Sequence, residues 1–185
     1  MQIAFVNGKG GVGKSTVALM VAATLRDAGH DASIDDRDPQ QSAALLAPNL
    51  GIPLGQEAAI VIVDTAPRLD HSPTLAAMRE ADIVILVSSP SPADLSTTAR
   101  TAGMLQQMRN GTRPTRILFN SVQVNTRLAA GLGDLKAQLP FPALKNQLAR
   151  RQAYQLATLQ GWRELTPESR EELLKVSLDI LALKL

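Results

Sequence analysis

Short runs of consecutive apolar residues recur along this chain, separated by longer stretches in which apolar and polar positions mix. Residues 2–7 (Q-I-A-F-V-N), 59–64 (A-I-V-I-V-D), 83–88 (I-V-I-L-V-S) and 116–120 (R-I-L-F-N) carry no polar position inside the run. That pattern belongs to strands buried on both faces of a parallel sheet. Residues 31–36 (D-A-S-I-D-D) stand where a further strand should be, but are unusually polar for a central one. Helices are expected at 15–28, where Gly29 ends the run, at 74–81, at 92–109 with Pro92 in the first turn, at 124–138 and at 167–185. Residues 42–56 read as a short helix plus a loop, and 139–144 (L-P-F-P-A-L) as an edge strand or loop too rich in proline for the sheet centre. Strands alternating with helices predict a doubly wound α/β fold, its mainly parallel sheet flanked by helices, in one domain over residues 1–185.

Composition narrows the class. A chain of 185 residues with 45% hydrophobic and 19% charged residues has the balance of a folded domain, not of a disordered one. There is no cysteine, so thiolate metal sites and disulfides are excluded. No apolar run approaches the ~20 residues that span a bilayer, and the first strand begins at once with no leader-like segment. A cytoplasmic protein without stable membrane insertion is expected. The net charge of +2 hides a split: residues 27–96 hold eleven acidic and three basic side chains, residues 97–163 ten basic ones and a single acidic one, Asp134. A surface facing a polyanion would produce this, and so would an ordinary solvated face.

The chemistry is concentrated after the first strand. Gly8, Lys9, Gly10, Gly11, Val12, Gly13, Lys14, Ser15 and Thr16 fit G-x-x-x-x-G-K-[ST], with a strand before and a helix after, as a phosphate-binding loop requires. Glycines let successive backbone N–H groups curl inward as an anion nest, which the helix N-terminus extends. Lys14 supplies a charge to the β- and γ-phosphates, and the Ser15 hydroxyl is placed to ligate Mg²⁺. Asp64 ends a buried strand and fits the carboxylate that holds hydrated Mg²⁺ beside such a loop. Asp36, in D-R-D-P-Q, is either a positioned carboxylate or part of a solvated acidic turn.

Lys9, directly after the first glycine, makes K-G-G-V-G-K-S-T, which resembles the deviant Walker A loop of the ParA/MinD family of P-loop ATPases. D-R-D-P-Q at 36–40, D-T-A-P at 64–67 and P-S-P-A-D-L-S at 90–96 resemble further family segments, the last that of the small ParF-like subgroup. The resemblance implies ATP/ADP and Mg²⁺ as cofactors, and a homodimer when ATP is bound. It also implies a Lys9 that reaches the partner's nucleotide and an Asp36 that orients the attacking water and helps hold the metal. It makes Asn120 a contact for the adenine, although turn formation explains that residue equally well. The implied output is non-specific DNA binding over the nucleoid to segregate or position cargo, with a ParB-like or other adaptor stimulating slow hydrolysis. Arg127, Lys145, Arg150 and Arg151 are the candidate DNA contacts. Two alternatives are a MinD-like regulator acting at the membrane and a small-molecule kinase. A final helix whose polar face is not basic speaks against the first, and Lys9 with D-R-D-P-Q against the second.

Overall fold

A computed structural model describes residues 1–108, 113–123, 126 and 139–184. Five strands, β1 (Gln2–Val6), β2 (Ala32–Asp36), β3 (Ile60–Asp64), β4 (Ile83–Ser88) and β5 (Thr115–Phe119), form one sheet in the order β2-β3-β1-β4-β5. Every pairing is parallel. The described helices are α1 (Lys14–Asp27), α2 (Ser42–Leu46), α3 (Ser72–Glu80), α4 (Pro92–Met108), α5 (Gln152–Gln160) and α6 (Pro167–Leu181). The helix expected over 124–138 lies, apart from Thr126, outside the described residues.

The unbroken apolar runs divide by the two-residue period of a strand. Ile3, Phe5, Ile62, Ile83, Ile85 and Leu118 point into a core shared with α1, α5 and α6. Ala4, Val6, Val61, Val63, Val84, Leu86, Ile117 and Phe119 point into a second core with α3 and α4. The molecule is therefore three layers deep, which is why its strands need apolar residues at every position. Helix α1 is buried from Val17 to Leu25 because the sheet and helices α2, α5 and α6 surround it.

The polar strand β2 has a physical reason: it is the sheet edge. Its free side is covered by a loop. The Ile34 amide donates to Pro53 O (3.0 Å), Gly55 N donates to Ile34 O (2.9 Å) and Ser33 Oγ donates to Gly55 O (2.7 Å). At the opposite edge the segment 142–148 lies along β5, with Ile117 N donating to Pro142 O (3.0 Å), Leu144 N to Ile117 O (2.8 Å) and Leu148 N to Phe119 O (2.9 Å). The proline-rich residues 139–144 thus act as the edge cover, joined to β5 by one isolated bridge at Ala143.

Helix α6 begins as its sequence predicts. Thr166 accepts from Ser169 N (3.2 Å), and Pro167 occupies the first turn. Its buried residues Leu173, Val176 and Ile180 face α1, while Leu174 and Leu178 are exposed. It stops at Leu181 and continues as one 3₁₀ turn, Ala182–Lys184. Helix α5 is the element the apolar pattern did not announce: its periodicity is weak because it buries only Tyr154, Ala157 and Thr158.

Candidate functional site

The loop of residues 8–13 leaves the carboxyl end of β1, at the centre of the sheet, and is held from below by Asn7. Asn7 is fully buried; its Nδ2 donates to Val87 O at the end of β4 (2.7 Å) and to Thr98 Oγ1 of α4 (3.1 Å), and its Oδ1 accepts from Lys9 N (3.0 Å). Gly8 N donates to Thr101 Oγ1 (3.3 Å). Two glycines are required by backbone angle, Gly11 (φ 81°) and Gly13 (φ 90°), a region side chains avoid. Gly13 is also the residue before the first turn of α1, and a Cβ there would collide with Asn120 Nδ2. That contact is built: Asn120 Nδ2 donates to Val12 O (2.9 Å). Asn120 therefore buttresses the loop, and it also lines the cleft beside it.

The two lysines behave differently. Lys14 is buried, with its Nζ donating to Lys9 O (3.3 Å). Burial lowers its pKa, against the attraction of Asp64 and Asp38. Lys9 is half-exposed, and its ammonium pairs with Asp94 in the first turn of α4. Asp94 also accepts from Ser89 Oγ (2.5 Å).

Asp64 ends β3 in register with Asp36 at the end of β2. It is fully buried, and neither of its oxygens has a hydrogen-bond partner. Burial pushes its pKa up to about 7; Ser15 opposes the rise without reaching hydrogen-bond geometry, and the Asp36 charge adds to it. A buried carboxylate with unused lone pairs beside a hydroxyl and a lysine has the chemistry to take a cation. Ser15 and Asp64 thus fit Mg²⁺, which when bound would supply a Lewis acid for phosphate oxygens. No cluster of three or more histidine, cysteine, aspartate or glutamate side chains that could hold a metal exists among the described residues. The carboxylate of Asp36 accepts from Asp38 N (3.0 Å) and Ala44 N (2.8 Å), so it also shapes the loop that leads into α2. Asp38 in turn accepts from Gln40 N (3.0 Å).

Beside the loop lies a cleft of about 730 Å³. Gly11, Gly13, Thr16 and Asn120 line it together with Arg150, Arg151, Gln152, Tyr154 and Gln155. Ser121, at the rim, holds a positive φ of 56°. Of the expected DNA contacts, Lys145 and Arg150 are exposed, and Arg127 lies outside the described residues. Arg151 is engaged internally: its Nη2 donates to Glu172 Oε1 (2.5 Å) and its Nε to Oε2 (3.2 Å). Sequence reasoning missed Asn7, which braces the loop, and Glu172, which holds Arg151.

A glycine nest between the central strand and a helix, with a lysine and a serine at the helix start and an unpartnered aspartate on the neighbouring strand, defines a P-loop nucleotide-binding domain. Residues 3–161 match the CobQ/CobB/MinD/ParA nucleotide binding domain family, and the chain belongs to that family. It is 38% identical over 112 residues to a maintenance of carboxysome distribution protein A from Gloeobacter kilaueensis, a match covering 51% of each chain. It thus spans about half of that relative. With the protein of the same name from Halothiobacillus neapolitanus it shares 25% identity over 189 residues, covering 86% of this chain and 84% of that one. Among solved structures, a putative plasmid partition protein from Borrelia burgdorferi bound to AMPPNP superposes with a TM-score of 0.75 over 100% of this chain and 99% of that one, at 15% identity.

Proposed function

We propose that this chain is a ParA-type ATPase: ATP with Mg²⁺ joins two protomers, the dimer binds DNA without sequence preference, and hydrolysis releases it. The observation that carries this reading is Lys9, a half-exposed second lysine on the rim of a loop whose own phosphate lysine, Lys14, is buried in place. A cation at the rim suits charge that develops on a polyphosphate held by a partner.

In this reading Lys14 and the loop amides bind the phosphates, Ser15 and Asp64 hold Mg²⁺, and Asp36 orients the attacking water. Asn120 contacts the adenine while bracing the loop. Lys145 and Arg150, with Arg127, offer charge to DNA phosphates, and binding should weaken steeply with salt. Arg151 contributes less, because Glu172 already neutralises it. The names of the relatives, carboxysome distribution and plasmid partition, support cargo positioning as the output, which this reading sets over the nucleoid. An adaptor, ParB-like or otherwise, would stimulate a slow basal hydrolysis. Among the described residues no helix is long and apolar enough to cross a membrane.

The test is a DNA shift assay with ATP, with ADP and without nucleotide. Binding with ATP alone is expected; equal binding in all three, or none in any, refutes the switch. One observation favours a second, MinD-like reading: Leu174 and Leu178 form an exposed apolar pair on α6. ATP-dependent sedimentation with anionic liposomes, without a DNA shift, would establish it instead.

A further inference from the structure

The wall of the cleft facing the phosphate loop is the segment 149–155, and it is fastened at two places. On the sheet side Val122 N donates to Leu148 O (3.1 Å) and Arg150 N to Val122 O (2.9 Å). On the outer side a single carboxylate does the work. Glu172, in the second turn of α6, accepts from Ala149 N (3.2 Å), from Arg151 Nε (3.2 Å) and Nη2 (2.5 Å), and from the Tyr154 hydroxyl (2.8 Å). Helix α5 starts inside this segment with no side-chain cap of its own. Its first turn is therefore oriented from α6, across the chain, and Tyr154 and Arg151 are both turned by the same group. Glu172 belongs to no phosphate-binding element and touches neither the loop nor Asp64.

We propose that Glu172 is a positioning residue for the base and ribose half of the nucleotide, setting the wall that this half packs against independently of the phosphate half. The chemistry is specific. A carboxylate can take four donors at once; an amide at the same place accepts through one oxygen and presents two N–H groups to the arginine fork and the Ala149 amide. The inference rests on the nucleotide-binding reading of the cleft. It assigns to the C-terminal helix a share of ligand affinity that the phosphate loop does not provide.

The test compares ATP with inorganic tripolyphosphate, which presents phosphates without a nucleoside, by calorimetry on wild-type protein, Glu172→Gln and Arg151→Lys. Thermal unfolding of each variant verifies folding. Glu172→Gln should weaken ATP and ADP alike, by about tenfold, while tripolyphosphate binds as to wild type. Arg151→Lys, which keeps the charge but loses the fork, should move ATP in the same direction by less. Equal loss of ATP and tripolyphosphate, or loss of neither, overturns the assignment of Glu172. Wild-type protein that binds neither ligand would instead overturn the reading of the cleft as a nucleotide site.

Discussion

Lys9 and Asp94 are paired within one protomer, the lysine half-exposed and the carboxylate largely covered. A lysine that is to reach a partner's phosphates must first leave this aspartate. In the proposed dimer the pair would oppose association by its own strength, about 1 kcal/mol per protomer for a contact of this exposure. Two such pairs break per dimer, so Asp94→Asn should tighten the ATP-dependent dimer by up to about thirtyfold in sedimentation equilibrium. Lys9→Ala should abolish the dimer while each monomer still binds ATP. An Asp94→Asn dimer no tighter than wild type would show that the pair is not a competitor.

The Asn120 amide nitrogen fills the place that a Cβ on Gly13 would take. Gly13→Ala should abolish ATP binding and lower stability by about 2 kcal/mol or more, through left-handed backbone and collision together. In the double variant Gly13→Ala/Asn120→Ala the collision is gone, so unfolding by urea should show less than the sum of the two single losses. Nucleotide binding should stay absent.

Asp64 gives the site a pH signature. Its folded pKa of about 7 lies above the ordinary carboxylate value of 3.8, so the folded protein takes up the proton more readily than the unfolded chain. The cost of ionising it is absent at pH below about 4, grows through the interval and is complete above about 7. Asp64→Asn removes that cost. Without metal, the variant should melt a few degrees above wild type at pH 8, and the difference should vanish near pH 4. Mg²⁺ favours the charged form, so its affinity for wild type, measured with nucleotide present, should rise as pH increases toward 7 and then level off. A melting difference independent of pH would contradict this.

Asp36 carries two backbone bonds from the loop that precedes and opens α2. Asp36→Ala should slow ATP hydrolysis at least a hundredfold by phosphate release, while ATP still binds and the dimer persists. It should also raise proteolytic nicking within residues 37–44, because Asp38 N and Ala44 N lose their acceptor. Hydrolysis at the wild-type rate would remove Asp36 from the reaction.

What could be read from the chain was what is encoded locally. The loop at 8–16, the strand that delivers Asp64 and the alternation that makes three layers all lie within short stretches whose chemistry is self-contained. Asn7 and Glu172 escaped because their partners lie far along the chain, in β4 and α4 for Asn7 and in the segment 149–154 for Glu172. A lone asparagine or glutamate carries no spacing signal. Arg151 read as a free cation for the same reason: the glutamate that holds it lies 21 residues away. The polarity of β2 was visible, but only the strand order explains it. Leu174 and Leu178 show the limit of counting apolar residues on a helix, since α6 buries one stripe and leaves these outside it.

The covered sheet margins have a consequence for assembly. With the chain at 53–55 bonded along β2 and that at 142–148 along β5, neither margin offers a free row of donors and acceptors to another copy. Strand-to-strand addition, the shortest route from a parallel sheet to an unregulated fibre, is blocked by the protomer's own backbone. Any self-association must then use side-chain surfaces, and the surface at the carboxyl ends of the strands is the one that a bound nucleotide alters.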